Sequence, residues 1–224
     1  MKPGDFYVGV IDFFSILLPG ALLGATAAIV LDMPPVLRPL LTSDTARWVA
    51  FALSAYALGH FAFLISSRLD DIYDRYRPLM WPRANDEKGP FMEARALRCA
   101  HFANGADPEK DVPMNTFKWA KAVLTARAPA ALADVNRYEA HSKFFRSMAV
   151  ALPIAGAAVA FAGDVRALPT ALLLAAVAFF VYAQQRFRST EWAYRYVLVL
   201  QALGELDGRR PGPKGSERAD ADEE

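Results

Sequence analysis

WVAFALSAYALGHFAFLISSRLDDIYDRYRP, residues 48–78, begins apolar and ends rich in charge. Trp48–Ser67 contains no Asp, Glu, Lys or Arg, and from Arg68 onward a charged residue follows at almost every second position. A helix needs about 20 apolar residues to cross a hydrocarbon core roughly 30 Å thick. Because a bilayer offers no water to backbone amides, such a segment must be helical. The stretch therefore predicts a transmembrane helix that continues into the aqueous phase.

Three further segments are equally free of Asp, Glu, Lys and Arg: Phe13–Leu31, Ser147–Gly163 and Ala167–Gln185. Residues 1–9 carry only Lys2 against Asp5, and the apolar run that follows is longer than that of a usual signal peptide. We therefore expect an uncleaved first helix and an all-α integral membrane protein with four transmembrane helices.

The basic residues are distributed unevenly along the chain. Of the 25 Lys and Arg residues, 14 lie in residues 68–146 and 7 lie from residue 186 onward, whereas the connections 32–47 and 164–166 hold 2 and 1. Cytoplasmic loops of membrane proteins carry the excess of basic residues. The counts predict a multi-pass protein of the bacterial inner membrane with both termini in the cytoplasm, which agrees with an even number of spans.

The composition argues against several partners and cofactors. The net charge is +1, so no overall field favours nucleic acid, and we expect no direct nucleic-acid partner. The single cysteine, Cys99, excludes a disulfide within the chain and fits a reducing compartment. No P-loop, GxGxxG, HExxH or cysteine cluster occurs in the sequence, and we expect no cofactor.

The chain between the second and third spans has a helical pattern of its own. Periodicity predicts two short helices, Phe91–Ala103 and Met114–Ala126, between clusters of Pro and Gly. Elsewhere the helical pattern runs without Gly or Pro from Ala130 into the third span and from the fourth span to Gly204. The second span likewise continues to Pro78. We call these aqueous continuations of the spans stems.

These features divide the chain into four segments. They are a first transmembrane hairpin (1–67), a cytoplasmic helical insert with stems (68–146), a second transmembrane hairpin with a C-terminal stem (147–207) and a tail (208–224). The tail consists of Gly, Pro, Ser, Ala and charged residues and cannot bury a core, which predicts disorder. We expect the stems and the short helices to form helical cytoplasmic extensions with a small helical cap.

Asp70, Asp71 and Asp74 match the DDxxD pattern, which binds diphosphate through magnesium in prenyl-transferring enzymes. Asp70 and Asp74 would share one helix face at a spacing of i, i+4. Such enzymes also need a second acidic motif, which the remaining helix ends lack, and three neighbouring arginines can neutralise the acids. We favour a charged stem that fixes the membrane boundary, with a metal site as the alternative.

Three residues are candidates for a path through the membrane: Asp12, His60 and Tyr182. His60 lies inside the second span, where ionisable side chains are costly and face the interior of the helix bundle. It either serves an ion or proton path or is a neutral, hydrogen-bonded histidine. Asp12 lies at the cytoplasmic start of the first span and either caps that helix or lines a pore mouth.

A second group of candidates lies at the predicted inner surface of the membrane. Basic side chains at the ends of the stems would form a collar that attracts anionic lipid headgroups, at roughly 1 kcal/mol per charge. The alternative is a site for an anion or a nucleotide between the stems, with aromatic rings for stacking. The candidates are Tyr138, Lys143, Arg146, Arg186, Arg188 and Trp192.

Small residues recur at helical spacing in two of the spans. Gly20 and Gly24 form a GxxxG pattern in the first span, and Gly156 and Ala160 form a similar pair in the third. Small residues at this spacing allow two helices to approach closely. The partner helix can belong to the same chain or to another copy.

The segments DFFSILLPG (12–20), RYEAHSKFFRS (137–147) and WAYRYVLVL (192–200) accompany two pairs of spans around a cytoplasmic insert. In this arrangement the chain resembles uncharacterised bacterial inner-membrane proteins with four helices. Some similar proteins look like membrane effectors of antiphage defence systems. The resemblance concerns architecture over most of the chain and implies no residue assignment. The composition, rich in Ala and Arg, suggests a bacterium with high GC content.

We therefore expect a non-enzymatic membrane effector or channel-like homo-oligomer. Its cytoplasmic region would sense a protein or nucleotide signal, and the protein would then perturb the membrane. Its partners would be membrane lipids, further copies of the chain and that signal. Two alternatives stay open at this point: a non-conducting scaffold that recruits a cytoplasmic partner, and a magnesium-dependent lipid-processing enzyme that uses Asp70, Asp71 and Asp74.

Overall fold

The computed structural model describes residues 3–30, 43–82, 89–102 and 114–206, with side chains from residue 13 onward except residue 14. Seven α-helices occupy these residues, and no β-strand occurs in them. The predicted tail, 208–224, lies outside the described residues. The helices are α1 (Pro3–Val30), α2 (Asp44–Ser66), α3 (Arg68–Met80), α4 (Pro90–Phe102), α5 (Thr116–Arg127), α6 (Pro129–Phe161) and α7 (Ala167–Ala202).

Among the described residues, three helical segments are long and apolar enough to cross a membrane: Asp44–Met80, Pro129–Phe161 and Ala167–Ala202. The prediction of an all-helical fold is confirmed for these residues, and the three candidate spans are compatible with a multi-pass membrane protein. The first predicted span falls in α1, where Ser15–Val30 forms a shorter apolar helix. The two short helices predicted between the second and third spans are confirmed as α4 and α5, within a few residues at each end.

The second span continues into its stem as one helical segment, Asp44–Met80, with a local irregularity at Ser67, whose backbone stays in the right-handed helical region. A single turn at Ser67 separates α2 from α3, with the Ser67 amide donating to the carbonyl of Leu64 at 3.2 Å. The hydroxyls of Ser66 and Ser67 donate to carbonyls three residues earlier, at 2.8 Å and 2.7 Å. Serine side chains compete for helical carbonyls in this way and bend helices. Two consecutive serines therefore account for the local turn between α2 and α3.

Helices α1 and α2 pack backbone to backbone at two glycines. A Cβ added to Gly20 would lie 1.7 Å from the carbonyl oxygen of Ala55, and one added to Gly59 would lie 2.0 Å from that of Ile16. At Gly24 the nearest atom to an added Cβ would be a ring carbon of Phe51, at 3.5 Å. The close contact of the GxxxG pattern is therefore made within one chain, by Gly20 against α2, and Gly24 contributes ordinary packing.

Helices α6 and α7 approach each other through small side chains as well. A Cβ added to Gly156 would lie 2.3 Å from the Cβ of Ala171. Buried alanines continue this stripe along both helices, and they are Ala151, Ala155, Ala175 and Ala178. With little side chain between them, the two helices gain dispersion contacts that lipid tails do not supply.

The chain divides into two compact units. The first consists of residues 1–82 and 133–189, and the second of residues 83–132 and 190–224. In the second unit the core contains Trp119, Ala120 and Leu124 of α5, together with Phe91 of α4 packed edge-on against Tyr194 at 5.1 Å between ring centroids. Each unit therefore has buried apolar side chains of its own.

The buried face of α4 differs from the one that helical periodicity predicts, on which Phe91, Ala94, Leu97 and, less strictly, His101 would lie. Phe91 and Ala94 are buried as expected, but the next buried residue is Arg98, whereas Leu97 is half-buried and His101 is exposed. An arginine thus occupies a position on the core face of this short helix.

Candidate functional site

A carboxylate from one helix receives hydrogen bonds from side chains of two other helices in the first unit. Asp70 of α3 accepts a hydrogen bond at Oδ1 from the Tyr182 hydroxyl of α7, at 2.5 Å. At Oδ2 it accepts a hydrogen bond and ion pair from Nη1 of Arg146, on α6. We call these three residues the Asp70 cluster. Both oxygens of one carboxylate are engaged, so α3, α6 and α7 are joined at a single point.

The Asp70 cluster is largely shielded from solvent. Tyr182 is 1% exposed, and the side chains of Arg146 and Asp70 are 10% and 34% exposed. The guanidinium of Arg146 also lies over the ring of Phe63, at 4.8 Å from the centroid, which adds a favourable cation–π contact. Its Nε is buried and has no hydrogen-bond partner. The arginine is therefore held chiefly by Asp70 and Phe63.

The sequence places each member of the cluster where an apolar helix meets polar chain. Asp70 lies in the first turn of α3, just past the Ser67 turn, and a carboxylate is favourable near a helix N-terminus. Arg146 directly precedes the charge-free segment that begins at Ser147, and Tyr182 lies near the end of the charge-free segment of α7. The three positions lie at or near the edges of three charge-free segments.

Aromatic rings surround the Asp70 cluster. Tyr73 is 3% exposed and packs edge-on against Tyr182, with ring centroids 5.8 Å apart. Trp81 contacts Tyr73 at 6.2 Å and stacks on Phe187 at 4.7 Å, with their planes only 6° apart. These large rings limit the access of water to the buried side of the cluster, and a lower local dielectric strengthens the charge interactions there.

The DDxxD acids do not converge on a common point. Asp70 is engaged by Arg146 and Tyr182, whereas Asp71 and Asp74 are exposed. Over the described ranges, no group of three His, Cys, Asp or Glu side chains is arranged to hold a metal ion. The geometry gives the acidic motif a structural pairing role for Asp70 and leaves its other two acids facing solvent.

Of the three membrane-path candidates, only Tyr182 joins the Asp70 cluster. His60 is half-buried, and its ring packs edge-on against Tyr56 at 4.5 Å. The side chain of Asp12 lies outside the described residues. Of the two candidates whose side chains are described, His60 and Tyr182, it is Tyr182 that makes a buried polar contact to another helix.

The collar candidates make different contacts, although Arg146 and Arg186 both lie near Tyr182. Arg146 is buried in the Asp70 cluster, and Lys143 pairs with Glu139 on its own helix at 3.5 Å. The ring of Tyr138 lies under Arg137 at 5.6 Å from the centroid. Arg186 is half-buried, Arg188 is exposed, and Trp192 belongs to the second unit, where its ring packs against Tyr196 at 5.5 Å.

The sequence pointed to each member of the Asp70 cluster, but under three separate hypotheses. Asp70 was a metal candidate, Arg146 a collar candidate and Tyr182 a path candidate. Their partners are 76 and 112 residues away along the chain, so no local pattern could pair them. The one available signal was that each lies at the edge of a charge-free segment.

Tyr182→Phe is expected to lower the free energy of unfolding by about 1.5 kcal/mol, because it removes a buried hydrogen bond to a charged group. Tyr56→Phe is the matched control, since this tyrosine is 46% exposed and the phenyl ring keeps the contact with His60. Titration of the purified protein from mild detergent into dodecyl sulfate measures both changes. Equal effects of the two substitutions would contradict the hydrogen bond.

The comparison with known proteins adds no homologue to this picture. No protein family, curated protein or solved structure matches the chain.

Proposed function

We propose that this chain is a gated effector of the bacterial inner membrane, and that the Asp70 cluster holds its helices in a closed arrangement. On this proposal the chain has four spans, with both termini in the cytoplasm. A signal on the cytoplasmic side breaks the cluster, the spanning helices repack, and the membrane becomes permeable to ions. The buried contact of Asp70 with Arg146 and Tyr182 is the observation that carries the proposal.

Stability alone does not account for a buried ion pair of this kind. The cost of removing two charges from water can equal or exceed their mutual attraction, and well-packed apolar residues often replace such pairs without loss of stability. The best-attested use of buried polar groups is to select one arrangement of helices over others. The Asp70 cluster, which joins three candidate spans at one carboxylate, is suited to selecting one arrangement of these helices.

The lengths of α6 and α7 favour transmission of a signal into the membrane. They contain 33 and 36 residues, which corresponds to about 50 and 54 Å at 1.5 Å per residue. A hydrocarbon core needs only roughly 30 Å of helix. Each helix therefore extends beyond the membrane, and a displacement of its aqueous end would move the buried residues that form the cluster.

The fourth span of the proposal is α1. It has 28 residues, and its close backbone contact with α2 at Gly20 is typical of packed transmembrane helices. The large apolar side chains that α2 and α7 expose are suited to lipid tails or to a second copy of the chain. They include Leu53, Phe61, Leu64, Leu173 and Phe180. Four helices enclose little space, so we propose that the permeable form is a homo-oligomer.

The proposed biological setting is antiphage defence, and it rests on the resemblance of the sequence to four-helix membrane effectors. In that setting a cytoplasmic protein or nucleotide produced during infection would be the trigger. The proposed role requires no catalytic step by this chain.

Induced expression in bacteria tests the proposal through the membrane potential, read with a voltage-sensitive dye. Wild type is expected to depolarise the cells little, whereas Asp70→Asn is expected to depolarise them at equal protein level. Asp71→Asn is the matched control, because it removes a neighbouring, exposed carboxylate and leaves the cluster intact. Asp70→Asn cells that keep their potential would favour a non-conducting scaffold, and equal effects of both variants would rule out a specific role for the cluster.

A further inference from the structure

Helix α4 buries an arginine among apolar residues of the second unit. Arg98 follows Phe91 and Ala94 on the buried face of the helix and is 7% exposed. Arginine is almost never buried to this extent unless it is paired. The buried charge of Arg98 therefore requires a compensating partner.

Among the described residues, the contacts of Arg98 satisfy its hydrogen bonding in part and provide no opposite charge. Nη1 donates to the carbonyl oxygen of Met114 at 2.7 Å, and Nη2 lies 3.9 Å from the Sγ of Cys99. Nε is buried without a hydrogen-bond partner. No carboxylate among the described residues pairs with this guanidinium, so its desolvation is not offset by an opposite charge.

A second source of positive potential lies beside the guanidinium. Met114 immediately precedes Asn115, which caps α5 by accepting a hydrogen bond from the Lys118 amide at 2.9 Å. The N-terminus of a helix carries a partial positive charge, and its first amides have no carbonyl partner within the helix. Arg98 thus contacts the residue that precedes the N-cap of a 12-residue helix, and its positive charge lies beside the positive end of that helix.

We infer that Arg98 and the N-terminus of α5 form a binding site for a phosphoryl group. Arginine presents a planar fork of donors that matches phosphate oxygens, and helix N-termini bind the same anions through backbone amides. The phosphoryl group can belong to a soluble molecule or to a lipid headgroup. That this site receives the trigger rests on the proposed function, whereas phosphate binding itself does not.

Thermal unfolding of the full-length protein in mild detergent tests the site, with inorganic pyrophosphate as the soluble probe and sodium chloride at matched ionic strength as the reference. The melting temperature of wild type is expected to rise saturably with pyrophosphate and to respond little to chloride. Arg98→Gln is expected to weaken the apparent affinity about tenfold or more, because a charge-assisted contact is lost. Arg98→Lys keeps the positive charge but lacks the planar fork of donors, and its apparent affinity for pyrophosphate should lie between those of wild type and Arg98→Gln.

Arg127→Gln is the matched control, since Arg127 is exposed at the other end of α5 and its loss changes the net charge equally. It should respond to pyrophosphate as wild type does. An equal response of Arg98→Gln and wild type would overturn the site. If Arg98→Gln does not fold, the wild-type titration still tests phosphate binding. A rise in melting temperature that chloride reproduces at the same ionic strength would show that the binding is not specific and would contradict the inference.

Phosphatidylglycerol in mixed micelles, against a neutral lipid, separates the two sources of the phosphoryl group. A response to pyrophosphate assigns a soluble ligand, and a response to phosphatidylglycerol alone assigns a headgroup. No response to either probe contradicts the inference and places the counter-charge within the chain itself. These measurements need no ion flux, so they succeed or fail independently of the gating proposal.

Discussion

Asp70→Asn is expected to lower the free energy of unfolding by about 3 kcal/mol, and Arg146→Met by about 1–2 kcal/mol. The double variant Asp70→Asn/Arg146→Met is expected to lie within about 1 kcal/mol of wild type. Removing one partner leaves the other charge buried and uncompensated, whereas removing both leaves no charge to compensate. The asparagine still accepts the hydrogen bond from Tyr182, and methionine replaces much of the volume of the arginine.

The two single variants should differ because their remaining partners differ in exposure. Asp70→Asn leaves the Arg146 side chain, which is 10% exposed, without a counter-ion. Arg146→Met leaves the Asp70 side chain, which is 34% exposed, and water can solvate that carboxylate in part. Leaving Arg146 without its partner should therefore lower the free energy of unfolding more than leaving Asp70 without its partner.

Titration from mild detergent into dodecyl sulfate gives the four free energies of this double-mutant cycle. Asp71→Asn and Arg137→Met are the matched controls: Asp71 is exposed, and Arg137 pairs at 3.3 Å with Asp134 on the surface of the same helix as Arg146. Each control should cost less than about 1 kcal/mol. Additive effects of Asp70→Asn and Arg146→Met would show that the two side chains do not interact.

Gly20→Ala and Gly59→Ala should each cost about 3 kcal/mol, because a single methyl group would force α1 and α2 apart. The atoms in the way are the backbone carbonyl oxygens of Ala55 and Ile16, at 1.7 Å and 2.0 Å, which no rotamer change can move. Helix association in a membrane depends on such close packing, because lipid tails are as apolar as the side chains they replace.

Gly24→Ala provides the control for this pair. It is the other half of the GxxxG pattern, yet its added Cβ would make an ordinary contact of 3.5 Å with Phe51. It should change stability by less than about 0.5 kcal/mol in the same titration. A Gly20→Ala variant as stable as Gly24→Ala would contradict the packing of α1 against α2 at this point.

The helices were predictable from sequence because the bilayer imposes its constraint locally. A run of about 20 residues without charge must be helical wherever it crosses, so the charge-free segments identify spans without knowledge of their neighbours. The Asp70 cluster depends instead on how three helices pack. Asp70, Arg146 and Tyr182 could each be singled out, but their contact is a property of the tertiary structure.

Two local features escaped prediction for reasons of side-chain chemistry. From sequence, Ser66 and Ser67 simply end the charge-free segment. In the structure their hydroxyls donate to helical carbonyls and interrupt the α-helix for one turn. A hydrophobicity pattern predicts that Arg98 faces solvent, although the aliphatic part of a long arginine side chain can pack as an apolar group. Periodicity based on residue class placed Leu97 and His101 on the core face, and the structure places Arg98 there.

Proteoliposomes loaded with potassium and a voltage-sensitive dye measure permeability without any cellular partner. The double variant Asp70→Asn/Arg146→Met separates the gating role of the Asp70 cluster from damage to the fold, since it should unfold at nearly the same denaturant level as wild type. We expect wild-type and Asp71→Asn proteoliposomes to hold a potassium diffusion potential, and double-variant proteoliposomes to lose it. A stable double variant that holds the potential as long as wild type would contradict the proposal that this cluster keeps the membrane helices closed.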